Sequence, residues 1–533
     1  MLEIQGFDMR TGLSEDLIAR VLGGAPKYTV QELEEKFPPR DLPDGAMVTR
    51  FAPSPTGYMH LGGLYSSLID YKLAQQSGGL FLLRIEDTDT KREVKEAVDI
   101  IIDSLDRFGI KNNNDDKYGP YYQSQRKDIY HSVAAELLRT GRAYPCFLTQ
   151  EEMDEIREKQ SAAGFATGIY GEFARDRDIS SEEIIQHLDN GETPSIRLYS
   201  TGDPSRRIFC KDAVRGSISV PENNEDIVLI KSTDRLPTYH FAHLCDDHFM
   251  RVTHVVRGEE YFGTVALHIQ MFRMMEWQLP NYIHTATLDK IDEETGKQRK
   301  LSKRHDPEAN VAFFLEQGWP TDAVIDYLGN ILASGYEEAK LKGVVKNFWE
   351  YEMKPKKIPM SGGLFDMKKL EWWAKEYIGA MSVPDLVRAV TDWVNEYGDD
   401  KQKKQVADSK YLTAVLAIER DNPKRVRKDF ITWKQTLEIV EFFWDELFVP
   451  SSEYKFNGNI LNAFLETFDI ADDKDTWWNK IVEIANRFGV KNGDVAMDLR
   501  VALSGRTNTP DLYSIMQVMG DKRVIERINK ATK

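Results

Sequence analysis

Two segments about 240 residues apart carry residue types that handle phosphate. The first is Pro53-Ser54-Pro55-Thr56-Gly57-Tyr58-Met59-His60-Leu61-Gly62-Gly63 and the second is Lys300-Leu301-Ser302-Lys303-Arg304. In the first, two prolines and Gly57 stiffen a loop. His60 offers a hydrogen-bond donor to a phosphate oxygen. Gly62 and Gly63 let backbone approach a ligand where a helix begins, and a helix N-terminus favours anions. In the second, Lys300 and Lys303 are mobile point charges that can follow negative charge as it moves along phosphates. Alone, the first also reads as a Pro/Gly turn with a helix cap and the second as a solvated basic loop. In this order and at this separation they suggest one nucleotide gripped from two sides, the arrangement that activates a carboxylate with ATP.

The elements around them must do the positioning. Ala46 to Ala52 is rich in β-formers and predicts a strand that the prolines break. Gly62 to Gln76 predicts a helix, with Leu64, Leu68 and Tyr71 at helical spacing, and Leu80 to Ile85 a short buried strand. Strand, helix and strand at this length make a βαβ unit and point to a parallel sheet. Val252 to Arg257 and Ile283 to Leu288 return to the buried-strand pattern. Between them and the first unit, Arg126 to Thr140 and Gln150 to Gln160 read as helices, and Ser195 to Leu198 and Ile227 to Lys231 as strands. An insertion therefore splits the sheet domain. After about residue 305 the pattern is almost wholly helical, with amphipathic runs such as Asp385 to Tyr397. Residues 1–46 read as an appended segment with short helices near Ser14–Leu22 and Val30–Lys36.

Bulk composition narrows the classes. At 533 residues the chain holds several cores, and 41% hydrophobic with 29% charged residues is ordinary for a globular protein. Its three cysteines, Cys146, Cys210 and Cys245, form no CxxC pair, which argues against a zinc site or a disulfide framework and for a reducing cytoplasm. No stretch approaches the roughly 20 apolar residues of a membrane span, and no secretory leader is apparent. A net charge of −16 argues against a nonspecific nucleic-acid coat but leaves room for a specific RNA partner, because phosphate contact depends on local charge. Basic clusters do occur at Lys354–Lys357, Lys401–Lys404 and Lys424–Lys428.

The two segments resemble the paired hallmark motifs of class I aminoacyl-tRNA synthetases, in the form used by glutamyl-tRNA synthetases. Five further stretches are similar in order: Arg50-Phe51-Ala52-Pro53, Leu83 to Asp89, Gly119 to Ser124, Pro237-Thr238-Tyr239, and Thr253 to Glu260. Leu499 to Gly505 resembles the end of the bacterial enzymes, so the likeness spans roughly residues 47–530. It implies an α/β fold: a Rossmann-like parallel-sheet catalytic domain split by an α+β insertion, followed by an all-α anticodon-binding half. It implies that Arg50, Ser54, Glu86, Tyr239 and Arg257 hold L-glutamate, with Arg as a bidentate carboxylate fork and Glu86 on the α-ammonium. His60, Gly62, Gly63, Glu260 and Lys303 would hold ATP, and His60, Lys300 and Lys303 would serve catalysis. Mg²⁺ would accompany the pyrophosphate, and no protein zinc site is expected. The implied partner is tRNA(Glu), with charging of tRNA(Gln) by glutamate left open, and the implied working form is a cytoplasmic monomer.

The expected division is an extension (1–46), the first half of the catalytic domain (47–125), a connective insertion for the tRNA acceptor end (126–235), the second catalytic half (236–298), the KLSKR loop with a stem-contact helical domain (299–375), and the anticodon-binding domain (376–533). Arg425, Arg427, Phe430 and Trp433 offer the aromatic and arginine mixture that unstacked bases favour. The chain also departs from the family pattern. Leu64-Tyr65 follows the HLGG run where relatives often have Ala-Arg. His243 stands where they often have asparagine or valine. Ala143-Tyr144-Pro145-Cys146 keeps a single cysteine of the set some relatives use for zinc. Three rivals fit less well. A glutaminyl enzyme would be expected to show Pro-Glu-Pro-Asn and Met-Ser-Lys motifs; a truncated relative that glutamylates a tRNA base would lack the helical half; and a noncatalytic paralogue has no reason to keep His60, Gly62, Lys300 and Lys303.

Overall fold

The computed structural model describes residues 12–89, 96–422 and 426–532. It divides into two compact units, one of residues 1–312 with 328–365, the other of residues 313–327 with 366–533.

In the first unit, β1 (Val48–Phe51) is a run of β-formers ended by Pro53 and Pro55. The chain returns through α3 (Leu61–Ser77) to β2 (Leu80–Leu83), parallel to β1 with Arg50 opposite Leu82. Gly78, in the left-handed region at φ 69°, closes α3 by donating to Ala74 and Gln75. Leu61, Leu64, Leu68, Ile69 and Leu73 are all buried, so this helix lies inside the domain. Helix α4 (Ala97–Arg107) leads to α5 (Lys127–Arg139).

The insertion begins with β3 (Ala143–Cys146), which pairs antiparallel with β4 (Ser195–Leu198) and through it with β7 (Val228–Ile230). Helices α6 (Gln150–Ala163) and α7 (Ser181–Asp189) start with reciprocal Thr149–Glu152 and Ser180–Glu183 capping boxes. A hairpin of β5 (Arg207–Asp212) and β6 (Gly216–Pro221) was not anticipated. Helix α8 (Tyr239–Phe249) then leads to β8 (His254–Gly258), and α9 (Val265–Met274) to β9 (Asn281–Thr285), parallel to β8. The second sheet runs β6-β5-β9-β8.

The two parallel pairs meet at one point: Thr253 N–H donates to Val48 O at 2.9 Å, and Thr253 Oγ1 accepts from Val48 N–H at 2.8 Å. From there the chain winds outward one way from β1 and the other way from β8. In open α/β sheets ligands bind in the crevice at the carboxyl ends of two such strands. Arg50 and Arg257 sit near those ends.

One expectation needs correction. The apolar run Ile283 to Leu288 is not one strand: β9 ends at Thr285, and β10 (Leu288–Ile291) joins β11 (Gln298–Lys300) and β12 (Gly363–Leu364) in a different sheet. Hydrophobicity continues across the break while the hydrogen-bond partner changes. The N-terminal segment, read as appended, is packed into this unit over its described residues, 12–46. Helix α1 (Glu15–Leu22) and α2 (Val30–Lys36) put Leu17, Ile18, Val21, Leu22 and Leu33, with Phe37, into the same core as Phe241 and Leu244 of α8. Glu34 reaches His248 at 2.6 Å and Arg251 at 2.6 Å, so this segment braces the far end of the helix that starts with Tyr239.

The second unit is helical around its own core. The helix Val383–Tyr397 is typical: Ser382 caps it, Pro384 lies in its first turn, and Leu386, Val387, Val390, Trp393 and Val394 form the buried stripe. Of the residues considered for base stacking, Phe430 and Trp433 are buried in this core, and Arg427 is buried against Asp429 at 2.6 Å and over the Phe430 ring. Arg425 lies outside the described residues.

Candidate active site

The crevice between β1 and β8 opens into a cavity of about 290 Å³. Arg50, His60, Gly62, Gly63, Glu86, Tyr239, Arg257, Glu260 and Lys300 all line it. Lys303 stands just off the lining, and Ser54 is exposed on the loop after β1.

His60 is the N-cap of α3, and its Nδ1 accepts from Gly62 N–H at 2.9 Å. An accepting Nδ1 carries no proton, so the neutral ring holds its proton on Nε2. Burial, then Lys303 and Lys300, press its pKa below the ordinary value. A Cβ on residue 62 would lie 3.1 Å from that Nδ1, and one on residue 63 would lie 3.2 Å from Phe51 of β1. Both glycines therefore also serve the packing of this turn.

The second segment is held close to the first. Lys303 Nζ donates to the Tyr58 carbonyl, Val311 N–H donates to Met59 O at 3.0 Å, and Lys300 Nζ lies 3.5 Å from Glu260 Oε1. The loop is anchored by Asp306, which takes Arg299 bidentately at 2.6 and 2.8 Å and caps Ser302 N–H at 2.9 Å. Arg299 above all holds the Asp306 carboxyl far below its usual range. An acid two residues after a basic run is a weak signal in the sequence for such a clamp.

The floor of the cavity is a buried charge network. Helix α8 places Tyr239, His243 and Asp247 on one face at i, i+4 and i+8. Asp247 accepts from Arg50 Nε at 3.1 Å and from Arg84 Nη1 at 2.5 Å, and Arg84 Nη2 donates to Glu86 at 3.2 Å. Next to it, Asp246 takes Arg126 at 2.6 Å and Gln123 at 2.9 Å. Breaking one partner of such a pair costs about 3–5 kcal/mol, because the other charge is left buried alone. Although burial works to raise the Asp247 carboxyl, Arg50, His243 and Arg84 hold it well below the usual carboxylate range. His243 Nδ1 lies 3.0 Å from Asp247 Oδ2 and 3.4 Å from Arg50 Nη2. One ring nitrogen cannot donate to the carboxylate and accept from the guanidinium at once. The shorter contact puts the proton on Nδ1 and leaves Arg50 Nη2 free for another acceptor.

Glu86 sits in an ion pair, with Arg84 as its partner. Burial pushes its carboxyl up, against the pull of Arg84 and Arg50. Arg257 is not paired with Glu259, which goes to Arg215 at 2.5 Å. Its Nε donates to His284 Nε2 at 3.0 Å and its Nη1 to His268 Nδ1 at 3.0 Å, while Nη2 is buried without a hydrogen-bond partner. The guanidinium also faces the rings of Tyr282 and Tyr261. The cavity thus contains a buried cation with no carboxylate on it among the described residues, next to a carboxylate whose charge burial opposes. That pair is complementary to a small molecule that carries one carboxylate and one ammonium group.

The histidines around Arg257 give a pH signature. Burial is the first cause in each case: it pushes His240 and His243 down to about 4 and His268 well below its ordinary value, and lowers His284. The unfolded chain takes up these protons below about pH 6.5 while the folded chain refuses them, so stability falls as pH drops from about 6.5 toward 4. Each such group contributes a slope of up to about 1.4 kcal/mol per pH unit in that window. Asp70, Glu86, Glu225 and Asp498, pushed up by burial, act in the opposite direction, but His60, His131, His248 and His254, lowered chiefly by burial, add to the histidines' side. The urea midpoint is expected to be clearly lower at about pH 5.5 than at about pH 7.5, and His240→Asn is expected to reduce the difference; equal midpoints would contradict the assignment of neutral buried rings.

Comparison with known proteins identifies the family. Residues 46–372 match the model of the class I (E and Q) tRNA synthetase catalytic domain, and residues 387–532 match an anticodon binding domain. A glutamate–tRNA ligase of Clostridium perfringens is 43% identical over 93% of this chain and 96% of its own length. One of Clostridium beijerinckii is 40% identical over 97% of this chain and 99% of its own. At 97% of 533 residues only about 16 go unmatched, fewer than the 46 of the N-terminal segment, so that segment is at least partly shared. The crystal structure of a glutamate tRNA ligase from Elizabethkingia meningosepticum in complex with its amino acid superposes with a TM-score of 0.76 at 29% identity, covering 91% of this chain and 99% of that one. With the segments around His60 and Lys300 meeting over one crevice and a helical unit behind them in sequence, the chain belongs to the glutamate–tRNA ligases, class I aminoacyl-tRNA synthetases.

Proposed function

We propose that the cavity binds L-glutamate at its Arg257, Glu86 and Tyr239 end and ATP along His60, Gly62, Gly63, Glu260 and Lys300. The observation that carries this reading is Arg257: a buried guanidinium whose Nη2 has no partner, at the end of a cavity lined by both phosphate-handling segments. One substrate carboxylate satisfies that edge, and the α-ammonium pairs with Glu86, whose charge is otherwise opposed by burial. Arg50 is largely spent on Asp247 and contributes through Nη2. Ser54, exposed on its loop, has the least support.

The glutamate α-carboxylate attacks the α-phosphorus of ATP, and pyrophosphate leaves. The chain supplies no covalent nucleophile; positioning and stabilisation of the moving charge do the catalysis. His60 donates from Nε2, and Lys300 and Lys303 follow the leaving phosphates. Enzymes of this class use ATP, generally with Mg²⁺. Among the described residues no three His, Cys, Asp or Glu side chains are grouped to hold an ion. Mg²⁺ keeps much of its water and binds through one or two carboxylates plus substrate phosphates, so the donors present, Glu260 among them, fit an ion that enters on ATP and offsets the charge of the pyrophosphate. The adenylate then esterifies the 3′-terminal ribose of tRNA(Glu), with first attack by the 2′-hydroxyl as in class I. The insertion takes the acceptor end and the helical unit the anticodon. We take the working form to be a cytoplasmic monomer; the three unpaired cysteines favour the reducing compartment.

Purified protein with glutamate, ATP, Mg²⁺ and tRNA(Glu) is expected to yield glutamyl-tRNA, AMP and pyrophosphate; no product would refute the assignment. The same reaction with tRNA(Gln) decides whether glutamate is also placed on that tRNA.

A further inference from the structure

Arg257 is held from behind by an unusual set of groups. A guanidinium only donates, so His268 Nδ1 and His284 Nε2 must both be acceptors. That fixes both tautomers. His284 carries its proton on Nδ1 and donates to Asp212 Oδ2 at 2.7 Å, and the same oxygen also accepts His284 N–H at 3.0 Å. His268 carries its proton on Nε2 and donates to His240 Nδ1 at 3.1 Å. The bonds run in one direction outward from the guanidinium on both sides. His268 and His284 have fully buried side chains, and the nearest carboxylate in the chain of bonds, Asp212, is one ring away.

We propose that His268 and the Asp212–His284 pair are positioning residues for substrate selection: neutral acceptors that fix the Arg257 fork without neutralising it, so that its unpartnered Nη2 edge and its whole charge stay available to the substrate carboxylate. Arg50 shows the alternative in the same cavity, a guanidinium locked on a carboxylate of its own. A carboxylate in the place of His268 would orient Arg257 as well as the imidazole does, but would spend the charge that has to select glutamate.

The inference rests on the reading that Arg257 binds a glutamate carboxylate, and one set of variants separates the two. In His268→Asn the side-chain oxygen stands near the position of Nδ1 and keeps a neutral acceptor; His268→Asp keeps the acceptor but adds charge; His268→Leu removes it. In aminoacylation of tRNA(Glu) by the full chain, KM for glutamate is expected to rise about 100-fold in His268→Asp and about 10-fold in His268→Leu, but only a few-fold in His268→Asn, with KM for ATP and kcat much less affected. His284→Gln, which keeps an acceptor near Nε2, is expected to behave like His268→Asn. Should the leucine variant fail to fold, the nearly isosteric Asn and Asp variants still decide. Equal KM values for Asn and Asp would overturn the inference, provided that Arg257→Ala itself raises KM for glutamate. An Arg257→Ala enzyme with unchanged KM for glutamate would instead overturn the underlying reading of Arg257.

Discussion

Replacing Arg257 by alanine is expected to lower kcat/KM for glutamate by about 100- to 10,000-fold while KM for ATP stays within a few-fold. The magnitude follows from the geometry. Nε and Nη1 are held by two neutral imidazoles, Nη2 is buried and unpartnered, and no carboxylate of the chain neutralises the group among the described residues. Each charge-assisted hydrogen bond to a substrate carboxylate contributes about 1.5–3 kcal/mol, and a fork supplies two. Arg257→Lys keeps the charge but loses the fork and both imidazole contacts, so it should fall between the wild type and alanine. Arg50→Ala should differ in kind. Arg50 already pairs with Asp247, so its loss should unfold or loosen the floor of the cavity and show in thermal stability as well as in KM. Steady-state kinetics of the three variants, with melting curves, separate a substrate contact from a structural ion pair.

Lys303→Ala is expected to slow the single-turnover rate of adenylate formation by about 100- to 1,000-fold, with tRNA binding and KM for glutamate changed little. Lys303 lies just off the cavity, with its ammonium on the Tyr58 carbonyl and its pKa lowered by burial. A backbone carbonyl is a weak partner for an ammonium ion, and ATP phosphates are a better one. The Asp306–Arg299 clamp fixes the base of the loop, so the lysine can change partner without the loop having to refold. Lys300, paired loosely with Glu260 at 3.5 Å, is placed to act on the same phosphates. Equal single-turnover rates for Lys303→Ala and wild type would refute the role.

Local geometry was the most legible level. Val48–Phe51 and Leu61–Ser77 lie where β-propensity, the two prolines and helical spacing put them, because these elements are set by near neighbours. The parallel pairing of β1 with β2 followed from the same stretch. What could not be read was partner choice. The run from Ile283 to Leu288 is apolar throughout, yet its two ends belong to different sheets. The β5–β6 hairpin is only half legible: Ser217-Ile218-Ser219-Val220 alternates as a strand should, but in β5 the exposed Phe209 stands between Ile208 and Cys210 and hides the period.

The site shows the same division. His60, Glu86, Tyr239, Arg257 and Glu260 were found through motif order and do surround one cavity. Arg84, Asp246 and Asp247, which hold the floor, were missed because charged residues are read as solvated until their burial is known. A cue was nevertheless present. Asp246-Asp247 interrupts the apolar face of α8, and His268 and His284 sit inside the apolar runs Leu267-His268-Ile269 and Ile283-His284. A polar side chain in an apolar run is satisfied by another buried polar group or it destabilises the fold, and here the partner is Arg257 or the pair beside it.

A structure of the protein with bound L-glutamate tests the central claim most directly. One glutamate carboxylate is expected within about 3 Å of Arg257 Nη2, with the α-ammonium on Glu86. Glutamate bound with both carboxylates away from Arg257, and Nη2 still unpartnered, would contradict it.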